Sequence, residues 1–382
     1  MIYLDNAAGT KPYPQVVDVV TDTLTHDWGN ASADNSLGYD ARMIISDVTQ
    51  QVVDDINCNP DNIVWTSGAC EANSLAILGF TRQWYTRLYV SQLEHTSLNE
   101  IVKDLNNIGE HNVYFIKNNI DGLVILEDLK MQLERDKDSW LKPLVSISFA
   151  NSEIGVIQDI KSISKLVHSY GGTLHVDATQ MYPWYKIDVQ ELGIDLMSVS
   201  GQKMHCVKGV GFLYVRNGIN IKPLIFGSQQ NGKRGGSYPT HLIAAFGKAL
   251  ELTRKNNATN NVEQLRNQLL NKLLLVEGVQ LNGPCIYKSR LPNNISLTID
   301  GVNASTLTTM CDLMGVIIAK GSACKSYEST PSESLLAIGL SSEQALNTIR
   351  ISLDEFNTSE EIDYAAEIIT KLVERIRCDE EA

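Results

Sequence analysis

The sequence lacks any long hydrophobic run. No apolar stretch in its 382 residues approaches the ~20 residues that a helix needs to cross a bilayer. The first residues, MIYLDNAAG, contain neither the basic region nor the apolar core of a signal peptide. The sequence therefore predicts a cytoplasmic protein without a membrane segment.

Basic residues are also in short supply, with 32 Lys and Arg against 45 Asp and Glu. The formal net charge of −13 argues against direct binding to nucleic acid or to an anionic membrane surface. A partner protein with a basic surface remains compatible with this charge.

Paired cysteines are missing. The seven cysteines are scattered, form no C-x-x-C pair and are odd in number, which excludes a disulfide framework and a zinc site. We therefore expect no bound metal, and free thiols that are mostly buried as small hydrophobic residues. Cys324 is the exception, because it lies in a small and polar segment between Lys320 and Lys325.

The sequence does contain a regular alternation of strand-like and helix-like segments between residues 62 and 199. Strands that alternate with helices predict an α/β fold with a mostly parallel sheet and helices on both faces. Such a sheet binds ligands beyond the carboxyl ends of its strands. The expected site therefore lies at the turns that follow Thr66, Val90, Phe149, Val176 and Val199.

The pattern changes after a polar stretch at residues 255–261. Beyond this stretch, helix-like segments surround a strand-like segment at residues 294–299, which is typical of an α+β arrangement. We predict a large α/β domain at residues 15–255. A smaller α+β domain would combine residues 1–14 with residues 256–382 and carry the Cys324 segment.

Two helices carry recognisable start signals. Asp159 precedes a run of apolar residues at helical spacing and is a candidate N-cap. Thr358 and Glu361 have the spacing of a capping box at the start of the final helix.

Lys203 follows an apolar strand-like segment at residues 196–199 and a small hydroxyl residue, Ser200. A lysine held on a turn by a strand end is suited to covalent attachment of pyridoxal phosphate (PLP) through its amine. For an isolated S-x-x-K pattern, a surface lysine on a hairpin is far more common, so the interpretation depends on the other strand ends.

Three other strand ends support the cofactor interpretation. Asp177 ends a buried strand, where an acid is costly unless it is paired, and the protonated ring nitrogen of PLP provides a partner. An Asp that caps the next turn is the alternative. His95 could stack on the ring and move protons near neutral pH. The small-residue turn 67–71 leads into a helix whose N-terminal amides favour a phosphate.

Ten motifs occur in the order found in one enzyme family. They are YLDNAAGT (3–10), TSGACEAN (66–73), EH (94–95), NSEIGVIQDI (151–160), HVDATQ (175–180), SGQK (200–203), KGVGFLYVR (208–216), RGGS (234–237), GSACKS (321–326) and RISL (350–353). With these motifs the sequence resembles the cysteine desulfurases of the NifS/IscS type, which are PLP-dependent enzymes of the class V aminotransferase family. The resemblance covers residues 3 to about 376 and implies the type I fold of PLP-dependent transferases.

The resemblance implies how PLP would be bound. Lys203 would hold the cofactor covalently, Asp177 would pair with its ring nitrogen and His95 would lie over the ring. The remaining contacts would come from Gln180 at the phenolic oxygen, from Ala69, Cys70, Ser200 and Gln202 at the phosphate, and from Ser237 of a second subunit in a homodimer.

The resemblance also implies the reaction. Arg350, helped by Asn151, would bind the carboxylate of L-cysteine, and the freed amine of Lys203 would take the Cα proton. Cys324 would attack the substrate sulfur as a thiolate, so that L-alanine is released and a persulfide remains on Cys324. A sulfur-acceptor protein would receive this sulfur in iron–sulfur assembly, tRNA thiolation or DNA sulfur modification.

Three residues depart from the family pattern at cofactor-contacting positions. Gln202 replaces the usual His, Cys70 a usual Thr and Ser152 a usual Asn. We expect each change to weaken the binding of PLP or substrate by ~1 kcal/mol, the net value of a typical hydrogen bond. Two other functions stay open. One is a PLP-dependent lyase or aminotransferase that acts on another amino acid, and the other is a low-activity sulfur-relay scaffold.

Overall fold

The computed structural model describes residues 1–108, 112–285, 289–321 and 330–381. In chain order, the strands are β1 (Ile2–Tyr3), β2 (Ile63–Thr66), β3 (Thr86–Ser91), β4 (Asn112–Ile116), β5 (Lys142–Ser148), β6 (Thr173–Asp177), β7 (Leu196–Ser200), β8 (Gly211–Val215), β9 (Val279–Leu281), β10 (Asn294–Ile299), β11 (Val316–Ile317), β12 (Ala319–Lys320) and β13 (Thr348–Ser352). The α-helices are α1 (Pro14–His26), α2 (Ser36–Ile56), α3 (Ala69–Gln83), α4 (Thr96–Ile108), α5 (Leu126–Arg135), α6 (Ile160–Ser169), α7 (Val189–Leu192), α8 (Thr240–Asn256), α9 (Thr259–Leu273), α10 (Ala304–Leu313), α11 (Glu333–Ala337), α12 (Ser342–Leu346) and α13 (Ser359–Glu381).

The larger sheet has the strand order β2-β8-β7-β6-β5-β3-β4. β8 runs antiparallel to both of its neighbours, and the remaining pairs are parallel. The prediction of a mostly parallel sheet is therefore confirmed. The register places Ser148 of β5 opposite Asp177 of β6, and Asp177 opposite Ser198 of β7. The ends of these three strands thus lie side by side.

Hydrophobic helices cover both faces of this sheet. On one face, Leu75 and Phe80 of α3 belong to a core with Leu88 and Val90 of β3. On the other face, Phe246 of α8 belongs to a core with Val176 of β6 and Val199 of β7. A parallel sheet needs cover on both faces because its strands are apolar along their whole length.

The smaller sheet has the order β12-β13-β10-β9 and is antiparallel. Side chains of β10 and β13 form a second hydrophobic core with those of α9 and α13. The start of the chain joins this part of the fold, since β1 pairs with β11 at Ile2 and Val316, and Asp5 forms a bridge with Ser352. The domain boundaries expected near residues 14 and 255 stay predictions.

The predicted helix signals are confirmed. Asp159 is the N-cap of α6, and its carboxylate accepts a hydrogen bond from the Ser162 N–H at 3.1 Å. Thr358 and Glu361 form the two reciprocal hydrogen bonds of a capping box at the start of α13, both at 3.3 Å.

The cysteines correct one expectation. Of the six that the structure describes, Cys206 and Cys311 are buried, whereas Cys70, Cys285 and Cys378 are exposed. The expectation that most would be buried is therefore wrong. Composition carries no information on which face of an element a residue occupies: Cys70 lies in the first turn of α3 beside a cavity, and Cys378 lies near the end of α13.

Across the described ranges, no helix is both long and apolar enough to span a membrane. In the same ranges, no three His, Cys, Asp or Glu side chains are grouped so that they could hold a metal ion.

Candidate active site

A cavity of about 440 Å³ lies at the carboxyl edge of the larger sheet. The turns after β2, β3, β5, β6 and β7 line it, together with residues from the N-terminal stretch, α11 and β13. Parallel strands bring these turns together because their carboxyl ends share one edge. The residues expected from the sequence that line this cavity are Ala69, Cys70, His95, Asn151, Ser152, Asp177, Gln180, Ser200, Gln202, Lys203 and Arg350.

Two expected site residues are not in this group. Ser237 is exposed and does not line the cavity of its own subunit. Its expected contribution to the site of a second subunit stays a prediction. Cys324 lies outside the described residues, and its role also stays a prediction.

Lys203 ends a short 3₁₀ turn that directly follows β7. The turn is tied to the residue that precedes β8, because the Gly201 N–H donates to the Val210 carbonyl oxygen at 3.0 Å. Lys203 Nζ donates to the carbonyl oxygens of Ala7 and Ala8 at 2.7 and 2.6 Å. The strand end therefore directs the amine across the cavity to the N-terminal stretch.

Asp177 is the last residue of β6 and only 6% exposed. Its carboxylate accepts one hydrogen bond from Asn73 Nδ2 at 2.8 Å and one from the Thr179 N–H at 3.0 Å. Both donors are neutral, so the buried negative charge is hydrogen-bonded but not neutralised by them. Such a carboxylate is suited to a cationic N–H on a ligand.

His95 lines the cavity just after β3. Its Nδ1 accepts a hydrogen bond from the Ser97 N–H at 3.1 Å and lies 2.9 Å from Ser97 Oγ. A backbone N–H can only donate, so Nδ1 is the acceptor and the neutral ring carries its proton on Nε2. The ring is therefore held in one tautomer.

The first turn of α3 faces the cavity beside the end of β7. Gly68 is its N-cap, and no side chain within the described residues caps the turn. The Gly68 φ of +143° is one that other residues avoid, and a Cβ there would lie 3.4 Å from Ser200 Oγ. Backbone amides at such a helix start can bind a phosphate.

Glu71 of the same turn binds Ser67 and Arg234. Its carboxylate accepts a hydrogen bond from the Ser67 N–H at 2.7 Å and pairs with Arg234 at 2.8 Å. Burial favours a raised pKa for Glu71, but the hydrogen bonds from Arg234 and Ser67 outweigh it and lower the pKa. Glu71 is thus an anion neutralised by Arg234, and this limits its repulsion of a bound phosphate.

Arg350 reaches the cavity from β13 of the smaller sheet and is only 3% exposed. Its Nη2 donates to Asp5 Oδ1 at 2.6 Å, and its Nη1 lies 3.5 Å from the Ser152 carbonyl oxygen. Its Nε is buried and has no hydrogen-bond partner in the described part of the chain. Arg350 therefore has donor capacity left for an anionic ligand.

Asn151 orders the loop that follows β5. Its Oδ1 accepts hydrogen bonds from the N–H groups of Glu153 and Ile154 at 2.8 and 2.9 Å, and its Nδ2 donates to the Leu93 carbonyl oxygen at 2.9 Å. One Nδ2–H remains for a ligand. The side chain of Asn151 thus mainly supports the loop whose Ser152 carbonyl oxygen faces Arg350 Nη1.

Two acids of the cavity were not predicted as site residues, Glu94, which is buried, and Glu153, which is half-buried. Glu94 accepts hydrogen bonds from the N–H and Oγ of Ser148 at 2.8 and 2.6 Å, and burial raises its pKa to about 8. Glu153 accepts a hydrogen bond from Ser332 Oγ, and burial raises its pKa as well. Both acids lie inside quoted motifs, at EH and NSEIG, but the sequence pattern offers no sign of their hydrogen-bond partners.

The residues present fit PLP. Asp177 offers a carboxylate for a protonated ring nitrogen, and the uncapped turn of α3 offers amides for a phosphate. Thr179 Oγ1 is buried in the cavity lining and has no partner in the described residues, so a ligand can satisfy it. The residues that would hold the cofactor are Lys203, Asp177, His95 and Gln180, with Ala69, Cys70, Ser200 and Gln202 near the phosphate.

Comparison with known proteins identifies the family of this chain. The family model described as "Aminotransferase class-V" matches residues 2–365. Cysteine desulfurase IscS 1 of Archaeoglobus fulgidus is 35% identical over 384 residues, which cover 99% of this chain and 98% of that protein. A solved NifS-like protein superposes with a TM-score of 0.90 at 27% identity. The superposition covers 98% of this chain and 99% of the NifS-like chain. A structure of SspA in complex with cysteine gives a TM-score of 0.80 at 29% identity and covers 94% of this chain and 100% of its own.

These similarities extend over nearly the whole chain. They confirm the resemblance stated from the motifs and the type I fold that it implied. The protein belongs to the PLP-dependent aminotransferase class V family.

Proposed function

We propose that this protein is a cysteine desulfurase that releases L-alanine from L-cysteine and retains the sulfur as a persulfide on Cys324. One observation carries the proposal: Lys203, Asp177 and Arg350 come from separate parts of the chain and line a single cavity. The relative from Archaeoglobus fulgidus bears the name of this activity, and SspA was solved with cysteine bound.

The cofactor-binding residues have different roles. Bound PLP supplies an electron-poor ring that stabilises negative charge on the Cα of an amino acid. Asp177 keeps the ring nitrogen protonated, because its buried carboxylate favours a cation next to it. Lys203 attaches the cofactor and is positioned by the strand end of β7. Once released, its amine accepts the Cα proton of the substrate.

Arg350 binds the substrate carboxylate. Its buried guanidinium has an unpartnered Nε within the described residues, and a carboxylate fits two parallel N–H groups of an arginine. The second N–H of Asn151 Nδ2 can add a hydrogen bond to the same carboxylate. These contacts hold the carboxylate of the substrate and leave its sulfur available for reaction.

Cys324 receives the sulfur. Its thiolate attacks the substrate sulfur, an S–S bond forms and the C–S bond breaks, and the electron pair stays on the substrate Cβ. Protonation of that carbon and of Cα gives L-alanine, and Cys324 carries the persulfide. The reaction needs no external oxidant, because the sulfur moves as a neutral atom from one thiol to another.

The persulfide is then passed to a sulfur-acceptor protein. The cytoplasm is the compartment in which the free thiols of this chain would stay reduced. The active unit is a homodimer, in which Ser237 of each subunit completes the phosphate site of the other. The exposed position of Ser237 outside its own cavity supports this arrangement.

The proposal is tested by alanine release from L-cysteine in the presence of PLP and a reductant. The wild type should release alanine, and Lys203→Ala and Cys324→Ser should not. Cys285→Ser is the matched control, because Cys285 is exposed and lies outside the cavity lining. Alanine release that survives Cys324→Ser would instead place the sulfur chemistry elsewhere. The absence of alanine despite bound PLP would favour a lyase or aminotransferase on another amino acid.

A further inference from the structure

The N-terminal stretch contacts two cationic residues of the cavity. Asp5 accepts a hydrogen bond from Arg350, and Ala7 and Ala8 accept hydrogen bonds from Lys203. The same stretch is anchored to β13, because the Ala7 N–H donates to Ser352 Oγ at 2.8 Å. Asp5 is therefore held beside β13 and is not a freely moving surface acid.

The contact between Asp5 and Arg350 uses only part of the hydrogen-bonding capacity of the guanidinium. An arginine has five N–H groups in a planar fork, two of them on Nη2. Asp5 Oδ1 lies 2.6 Å from Nη2, whereas Nε has no partner in the described residues. Asp5 is the one carboxylate that pairs with Arg350 within those residues. Because Nη2 carries two N–H groups, Asp5 and a second carboxylate can share it.

A buried guanidinium is costly without a hydrogen-bonded anion. Arg350 is 3% exposed, and an arginine side chain without a fixed partner would spread over several rotamers. The ion pair with Asp5 compensates the charge and fixes the plane of the guanidinium before any substrate arrives. The Nε edge is thereby presented in one orientation.

We propose that Asp5 is a positioning residue that sets Arg350 for the α-carboxylate of an amino-acid substrate. The inference rests on the proposed function, since it assigns Arg350 to that carboxylate. Asp5 acts through Arg350 and not on the reacting atoms. It therefore affects ligands that have a carboxylate and leaves the binding of simple amines unchanged.

The test compares two ligands of the PLP-loaded enzyme through the absorbance of the bound cofactor. L-Alanine has the carboxylate, and ethylamine is its counterpart without one. In Asp5→Asn, the Kd for L-alanine should rise about tenfold, equivalent to ~1.4 kcal/mol, while the Kd for ethylamine stays the same. The KM for L-cysteine should rise by a similar factor, with a smaller change in kcat.

Two further variants separate positioning from general damage. Asp55→Asn removes another ion pair with limited exposure, since Asp55 binds Arg254 at 2.8 Å and does not line the cavity. It should lower the unfolding temperature without altering either Kd. Asp5→Glu keeps the charge, and thus the fold, but places the carboxylate one methylene further out. It should give an intermediate Kd for L-alanine.

A double-mutant cycle shows whether Asp5 acts through Arg350. In an Arg350→Gln background, Asp5→Asn should have no additional effect on L-alanine binding. The inference is overturned if Asp5→Asn leaves L-alanine binding unchanged or tighter, or if it weakens ethylamine to the same extent. Both ligands report binding without desulfuration, so this failure is distinct from a wild type that makes no alanine from cysteine.

Discussion

Asn73 Nδ2 donates a hydrogen bond of 2.8 Å to Asp177 Oδ2, and this contact joins α3 to the end of β6. The same amide nitrogen lies 3.2 Å from Ser97 Oγ, which in turn contacts His95. Asn73 therefore connects the two residues that we assign to the ring of the cofactor. The other oxygen of Asp177 is held by the Thr179 N–H, so both oxygens of this acid have fixed positions.

We expect Asn73→Ala to weaken PLP binding. The change removes a hydrogen bond to a charged group, which is worth ~1.5–3 kcal/mol, so the Kd for PLP should rise at least about tenfold. Cofactor retained after dialysis, measured by absorbance, reports the change. Ser74→Ala is the control, because Ser74 Oγ donates only to the carbonyl oxygen of Cys70 in its own helix. Equal retention in both variants would rule out a role for Asn73 in orienting Asp177.

Restoring the usual family residues should tighten PLP binding. Gln202→His and Cys70→Thr each supply a stronger hydrogen-bond donor near the expected phosphate position. At ~1 kcal/mol per bond, each change should lower the Kd about fivefold. Titration of the cofactor-free protein with PLP measures the effect. An unchanged Kd in the double variant would mean that these residues do not contact the phosphate.

Glu94 should make stability depend on pH. Burial raises its pKa from 4.5 to about 8, so between these values the folded chain keeps a proton that the unfolded chain loses. The free energy of unfolding should therefore fall as the pH rises through this range. Glu94→Gln cannot ionise and should lose this contribution.

Thermal unfolding between about pH 5 and pH 9 checks the prediction for Glu94. The Glu94→Gln variant should be more stable than the wild type at the alkaline end of the range. Glu127→Gln, at an exposed position of α5, is the control and should follow the wild type. A wild-type slope that persists in Glu94→Gln would assign the pH dependence to another group.

Gly211 begins β8 and pairs with Ser200 at the end of β7, so Gly211→Ala should disturb the cavity. A Cβ at this position would lie 2.3 Å from the Val199 carbonyl oxygen and 2.8 Å from Gly68 Cα, so the backbone must move. We expect a loss of stability of ~1–3 kcal/mol from overpacking, together with faster PLP release. Gly9→Ala is the control, because a Cβ there meets nothing within 4 Å. Unfolding temperature and cofactor retention measure the two effects, and a Gly211→Ala protein as stable as Gly9→Ala would contradict the packing argument.

Much of the larger sheet was predictable from local sequence. The strand expected at residues 196–199 is Leu196–Ser200 in the structure, and the strand end expected at Thr66 is the end of β2. Hydrophobic runs that end in a polar residue mark buried strands, and this signal also identified Asp177 and Lys203. Helix α8 was not predicted, although Phe246 and Leu250 are part of the core.

The pairing of side chains was not predictable in the same way. Asp5 was known only as part of a motif, and its partner Arg350 lies 345 residues away. Glu94 and Ser148 are 54 residues apart. Sequence spacing says nothing about such contacts, because they depend on the order of strands in the sheet and on how the two sheets meet.

The sequence by itself determined the alternation of strands and helices, the polar residues at the strand ends and the family. These properties are local, because each follows from the side-chain period of a single element or from a short motif. The tertiary structure alone decided that β8 lies between β2 and β7, that Arg350 enters the cavity from the smaller sheet and that Asp5 pairs with it. Those relationships arise only when distant segments pack together, since burial then forces each polar group to find a partner.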